Sequence, residues 1–223
     1  MDVTEVLIRR NVIVDGDGAE FGLSDEFSAA VDAETEHLAS NTETERADLV
    51  RARCGVEESS IVLDRCGDDT ERLGRYLALY EQTADIPLED RLGLFVGLEA
   101  VARDPAPDSG APELFLPVHA DQLAFYLSSV RKAVVYVWRD DCPPCETVRS
   151  DLDTLVTDPI ASVGLFAVYG PGDPETLADQ YDVRGGPTLL FVVDGKVDIR
   201  LQGAQYTDIV EKELSHLADT ELA

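Results

Sequence analysis

The chain has 223 residues, of which 45 are acidic and 18 basic, so its formal net charge is −27 at pH 7. Hydrophobic residues make up 44%, which is enough for a buried core and excludes wholesale disorder. The acidic balance disfavours nucleic-acid binding, and no apolar run reaches the roughly 18–20 residues that span a bilayer. We therefore expect a cytoplasmic protein of one large or two small domains, with no nucleic-acid and no membrane partner.

The acid excess extends along the whole chain and is not confined to a tail. Such a charge repels itself in dilute buffer and is screened at high salt, where the Debye length falls to about 3 Å at 1 M. The composition therefore favours a halophilic protein from a salt-loaded cytoplasm. An ordinary acidic protein is the alternative.

Residues 1–103 predict a mainly α-helical domain that contains one early hairpin. Val12 to Val14, the turn Asp15-Gly16-Asp17-Gly18 and Phe21 predict the hairpin, and Ser24 predicts the cap of the next helix. Apolar residues at helical spacing predict four further helices before residue 103. We expect this domain to bind a partner protein or to serve as a scaffold.

Residues 104–112 contain three prolines and a glycine, which predicts a linker. The following domain, 113–223, is of the α/β class: its pattern predicts βαβαβαββα with a mixed central sheet flanked by helices. Leu114 to Val118 is expected to be its first strand. The apolar run from Ala133 to Trp138 is typical of a buried strand and is followed by a helix from Pro144 to Val156.

Two cysteines, Cys142 and Cys145, enclose Pro143 and Pro144 at this junction of strand and helix. Proline is favoured in the first helical turn, so Cys142 is expected to cap the helix, where the helix dipole favours its thiolate. Cys145 would lie one turn deeper and be shielded from solvent. This arrangement suits thiol–disulfide exchange, with an exposed attacking thiolate and a buried resolving thiol.

Two alternatives to exchange chemistry exist. In the first, the pair is half of a zinc site that Cys54, Cys66 or a histidine completes; the two prolines argue against it, because they remove backbone donors on which zinc knuckles rely. In the second, the pair is an inert part of the core; the polar residues that flank it argue against that. Cys54 and Cys66 are a second redox pair or, more commonly, separate core thiols. We expect no metal and no organic cofactor.

The run Val134 to Trp138, the Cys142 to Cys145 motif and the later stretch Tyr181 to Phe191 together resemble the thioredoxin family. The resemblance covers about Leu114 to Leu217. It implies a thioredoxin-like fold and a cis Pro187 packed beside the cysteines. It also implies that the backbone of Gly186 pairs with a substrate strand and that Gly203 lies near the substrate groove.

The sequence departs from the family pattern at several positions. Tyr136 replaces a buried carboxylate, and Val168 stands near the position of the lysine that partners it in the family. Those groups are taken to assist deprotonation of the buried cysteine, so their absence argues against fast resolution by Cys145. Asp141 replaces an aromatic residue and should oppose the Cys142 thiolate. Pro143 replaces a glycine and is expected to tune the redox potential, and Gly186 replaces a branched residue and is expected to leave a roomier groove.

The resemblance implies an intracellular thiol–disulfide oxidoreductase that acts on protein disulfides through Cys142 and Cys145. Pro187, Gly186, Trp138 and Gly203 are expected to bind substrate, while Pro143, Pro144, Asp141 and Tyr136 shape the site. A thioredoxin reductase or a small thiol would supply electrons. The alternative is a redox-sensing adaptor, in which the state of the dithiol controls partner binding by the N-terminal domain.

Overall fold

The structure is a computed structural model that describes residues 2–15 and 21–220. It divides the chain into two compact units, Met1–Asp104 and Pro105–Ala223. The predicted turn after Asp15 lies outside the described residues. Within the described ranges, none of the helices combines the length and the apolar character needed to cross a bilayer.

The first unit is built from helices and one antiparallel hairpin, as the apolar periodicity predicts. Its elements are α1 (Val3–Arg9), β1 (Ile13–Asp15), β2 (Phe21–Leu23), α2 (Asp25–Ala39), α3 (Glu43–Cys54), α4 (Val56–Cys66), α5 (Thr70–Thr83) and α6 (Leu88–Val101). Ser24 caps α2 by accepting the amide hydrogen of Phe27, at 3.1 Å. The predicted cap is therefore present.

Buried charges bind the helices of this unit together. Glu58 on α4 accepts hydrogen bonds at 2.6 and 2.8 Å from Arg91 on α6. It also accepts the hydroxyl hydrogen of Tyr76 on α5. A second buried carboxylate, Glu99, accepts from Arg75 at 2.5 Å. Because each charge has a partner, burying it does not leave an isolated ion in the core.

The second unit has a five-stranded mixed sheet covered by helices. Its elements are β3 (Leu116–Pro117), α7 (Leu123–Ser129), β4 (Lys132–Trp138), α8 (Pro143–Leu155), β5 (Val163–Tyr169), α9 (Pro174–Tyr181), β6 (Thr188–Val193), β7 (Lys196–Gln202) and α10 (Thr207–Asp219). The strand order is β3-β5-β4-β6-β7. β3 and β4 run parallel to β5, whereas β6 is antiparallel to both β4 and β7.

The first strand of this sheet is shorter than the sequence predicts. The strand consists of Leu116 and Pro117 instead of the whole run from Leu114 to Val118, and the Val118 N–H donates to the Ala167 carbonyl oxygen of β5 just beyond it. Pro117 has no N–H to donate, and proline is tolerated in sheets mainly at edges such as this one. The remaining strands and helices follow the predicted order.

The central strand β4 fixes the position of the cysteine pair. Every residue of β4 is buried, because β5 and β6 flank it and helices cover the sheet. Val148 and Leu152 of α8 pack in the same core cluster as Val134 and Tyr136. The start of α8 is thereby held at the carboxyl end of β4, where ligand sites of α/β sheets commonly lie.

Candidate active site

The cysteine pair lies at the junction of β4 and α8. Cys142 is the N-cap residue of α8, and the preceding Asp141 has a left-handed backbone with φ of 50°. Cys142 and Cys145 form a disulfide whose Cα atoms are 5.2 Å apart. A cap residue and the third residue of a helix lie on the same side of its first turn, which brings the two sulfur atoms together.

The two prolines determine which backbone donor reaches the sulfur of Cys142. Pro143 and Pro144 occupy the first helical positions, where a missing N–H costs little. The N–H of Cys145 donates to Cys142 Sγ at 3.2 Å. In the reduced protein this donor and the positive end of the helix dipole both favour a thiolate on Cys142.

Both cysteines are buried, each with 4% of its surface exposed. The prediction of an exposed Cys142 beside a shielded Cys145 is therefore wrong for the disulfide form. Cys142 Sγ lies 3.8 Å from the carbonyl oxygen of Gly186, so the turn before β6 covers the sulfur on one side. A pocket of about 290 Å³ borders both cysteines.

The turn at Gly186 and Pro187 lies beside the disulfide, and its peptide bond is cis. Gly203, with φ of 74°, donates its N–H to the carbonyl oxygen of Pro187 at 2.8 Å. The structure thus brings Gly186, Pro187 and Gly203 to the cysteine pair. A Cβ atom at position 186 would lie 3.1 Å from the carbonyl oxygen of Val137. A side chain at this position would therefore press on the backbone at the end of β4, while the roomier groove stays a prediction.

Tyr136 contacts the first turn of α8 from the middle of β4. Its hydroxyl donates to the carbonyl oxygen of Cys145 at 2.7 Å. Burial raises the pKa of Tyr136 well above its usual value. Val168, on the neighbouring strand, is fully buried and apolar. Tyr136 therefore positions Cys145 through a neutral hydrogen bond and does not offer a carboxylate to accept its proton.

Trp138 is packed into the wall of the site. It is 2% exposed, and its ring lies 4.8 Å from the ring of Tyr169, centroid to centroid. The hydroxyl of Tyr169 donates to Asp140 at 2.6 Å, and this hydrogen bond raises the pKa of Tyr169. The ring of Trp138 thus shapes the pocket and has little free surface for stacking on a partner.

Three residues of the pocket escaped the sequence analysis. Ser109 and Gly110 fall in the segment predicted as a linker, and Arg149 lies one turn after Cys145. Arg149 Nη1 donates to the carbonyl oxygen of Ser109 at 3.1 Å. The glycine at 110 is the one signal that could have indicated a close approach, since glycine often marks such places.

The other two cysteines belong to the first unit and are not joined by a disulfide. Cys54 is half-buried and Cys66 is buried. Burial raises the pKa of each thiol to about 12. Across residues 2–15 and 21–220, no three His, Cys, Asp or Glu side chains are grouped closely enough to hold a metal ion. The described part of the chain therefore provides no ligand set for the zinc alternative.

Known proteins match part of this chain. The thioredoxin family model matches residues 118–216. The chain is 33% identical over 97 residues to the chloroplastic M-type thioredoxin of Spinacia oleracea, covering 41% of this chain and 52% of that protein. It is 32% identical over 77 residues to a thioredoxin-like protein of Fusarium culmorum, covering 34% of this chain and 64% of that protein.

A solved structure of a mutant thioredoxin from Halobacterium salinarum is 21% identical and covers 50% of this chain and 98% of that one, with a TM-score of 0.41. The match to the spinach protein spans about half of that protein, and the match to the Fusarium culmorum protein spans less than two thirds of it. The second unit holds its cysteine pair at the end of the central strand of a mixed five-stranded sheet. The match to the thioredoxin family model covers residues 118–216 and does not extend to the helical first unit.

Proposed function

We propose that the chain is a thiol–disulfide oxidoreductase that exchanges disulfides with protein substrates. The observation that carries the proposal is the placement of Cys142. It caps α8, is bonded to Cys145, accepts the Cys145 N–H and lies against the Gly186–Pro187 turn. A thiolate stabilised by a helix N-terminus and paired with a second cysteine three residues later is suited to exchange chemistry.

The proposed reaction starts from the dithiol form. The Cys142 thiolate attacks one sulfur of a substrate disulfide, which forms a mixed disulfide and releases the first substrate thiolate. Cys145 loses its proton and attacks the Cys142 sulfur, which releases the second substrate thiolate and forms the Cys142–Cys145 disulfide. The two released thiolates are protonated, so the substrate gains two electrons and two protons. A dithiol reductase or a small thiol returns the pair to the reduced form.

The neighbouring residues take supporting roles in this proposal. The backbone at Gly186 and Pro187, with Gly203 beside it, pairs with the substrate segment, while Trp138 shapes the pocket. Pro143 and Pro144 leave the Cys145 N–H as the donor to Cys142 Sγ. Asp141 and Tyr136 tune the reactivity of the cysteine pair.

We also propose that the reaction takes place in a salt-rich cytoplasm. The support is the net charge of −27, which is best screened at high ionic strength. The first unit, 1–103, is proposed to bind a partner protein.

Catalysis of insulin disulfide reduction by the full chain tests the function, with dithiothreitol as reductant and molar KCl as background. We expect many turnovers per protein molecule, abolished in Cys142→Ser and retained in the control Cys66→Ser. Cys66 is a buried thiol of the other unit, so its loss removes a sulfur without touching the pair. A single stoichiometric oxidation without turnover would instead support the redox-sensing adaptor.

A further inference from the structure

The chain just before the family match packs onto the active site. The strap, residues 108–111, is closed by a turn in which the Ala111 N–H donates to the Asp108 carbonyl oxygen at 2.8 Å. Ser109 and Gly110 line the same pocket as Cys142 and Cys145. The strap lies in the second unit and precedes residue 118, where the thioredoxin match begins.

Close packing joins the strap to Trp138. A Cβ atom added at Gly110 would overlap the six-membered ring of Trp138, with Cε3 as the nearest atom. The indole nitrogen of Trp138 is buried and has no hydrogen-bond partner among the described residues. An unpaired buried donor is costly, so the indole of Trp138 is held in this wall by its packing and not by a hydrogen bond.

Helix α8 holds the strap at Ser109 and the chain just after it at Glu113. Arg149 Nη1 donates to the Ser109 carbonyl oxygen at 3.1 Å, and Asp153 Oδ1 accepts the Glu113 N–H at 2.8 Å. Residues four apart lie on one face of a helix, so Arg149 and Asp153 clasp the same stretch of chain. Ala111 and Leu114 pack against the core cluster below. The strap is therefore a fixed part of the site.

We propose that the strap determines substrate size: it favours small disulfides and disulfides on extended segments over disulfides on folded surfaces. This inference rests on the proposed function. Cys142 is 4% exposed, and the pocket that reaches it has about 290 Å³, the volume of a small-ligand site. A folded surface does not fit such a pocket, whereas a short extended segment does.

Gly110→Ala and Arg149→Met loosen the strap in independent ways. The first pushes Gly110 away from Trp138, and the second removes the bond to Ser109. Gly172→Ala is the matched control, since its Cβ atom would meet only Tyr169 Cδ1 at an ordinary 3.7 Å. Trp138 is the single tryptophan of the chain, so its fluorescence quenching by acrylamide reports whether the strap has moved.

Access to Cys142 is measured in the reduced full chain by alkylation, with the modified residue located by mass spectrometry. The reagents are maleimide alone and maleimide carrying a long polyethylene glycol. Both loosened variants should quench more readily and should raise the ratio of bulky to small reagent rates by about fivefold or more. Gly172→Ala should behave as wild type. If acrylamide quenching increases in either loosened variant while the ratio of reagent rates stays unchanged, the strap does not control access. If quenching changes in neither variant, the strap does not cover Trp138 as argued, and the proposal fails as well.

The same proteins are then compared by kcat/KM for insulin and for hydroxyethyl disulfide. The proposal predicts that loosening favours insulin over the small disulfide. Alkylation needs no turnover, so the two proposals fail separately. A raised alkylation ratio without turnover of either disulfide would contradict the proposed function but support control of access by the strap. Turnover with an unchanged preference between the two disulfides would contradict the role of the strap in substrate choice.

Discussion

At the scale of single residues, Tyr136 places a neutral hydroxyl where the family pattern has a buried carboxylate. Its bond to the Cys145 carbonyl oxygen is buried, and its phenol stays neutral because burial raises its pKa. It therefore fixes the first turn of α8 without serving as a base for Cys145. In the proposed exchange, the proton of Cys145 therefore passes to a group other than Tyr136.

Tyr136→Phe should lower the free energy of unfolding by about 1 kcal/mol, because it leaves the Cys145 carbonyl oxygen without its buried partner. Denaturant titration in molar KCl measures the change. Tyr206→Phe is the control: Tyr206 is 81% exposed, and its variant should stay within about 0.5 kcal/mol of wild type. Equal effects at both positions would contradict the structural role of the Tyr136 hydroxyl.

Cys54 and Cys66 should be nearly unreactive in the folded chain. Their thiols have pKa values raised to about 12 from 9.0, so at pH 8 their thiolate fractions are about a thousandfold lower than that of an exposed cysteine. Iodoacetamide labelling of each thiol, followed by mass spectrometry, should rise about tenfold per pH unit up to pH 10. A labelling rate that levels off near pH 9 would show an ordinary pKa and contradict the burial.

At the scale of elements, the ion pair between α4 and α6 stabilises the helical unit. Arg91→Met should cost about 3–5 kcal/mol of unfolding free energy, because it leaves the buried Glu58 carboxylate without its cation. Arg51→Met breaks an exposed pair with Asp48 and should cost less than about 1 kcal/mol. Chemical denaturation of both variants separates the outcomes, and equal losses would refute the argument.

The spacing of apolar residues predicted most helices and strands, because apolar side chains recur where an element faces the core. The run from Ala133 to Trp138 became a fully buried strand, and the prolines after Cys142 marked the start of α8. Long-range packing left little local signal. Gly110 could indicate a close approach of the chain, but nothing near Ser109 identifies Arg149, forty residues later, as the donor to its carbonyl oxygen. The burial of Cys142 likewise depends on a turn at Gly186.

At the scale of the whole molecule, the net charge of −27 should make stability depend on salt. Repulsion between like charges weakens as the Debye length falls from about 10 Å at 0.1 M to about 3 Å at 1 M. The thermal midpoint measured by circular dichroism should therefore rise steadily between 0.1 and roughly 2 M KCl. A midpoint that is flat or falls over this range would mean that self-repulsion contributes little.

The mixed disulfide is the most direct test of the exchange mechanism. Reduced Cys145→Ser protein is mixed with insulin, quenched with acid and analysed by peptide mass spectrometry. The mechanism predicts one insulin chain bonded to the sulfur of Cys142, and none captured by Cys142→Ser. Capture through Cys54 or Cys66, or no capture by Cys145→Ser, would contradict the assignment of Cys142 as the attacking thiolate.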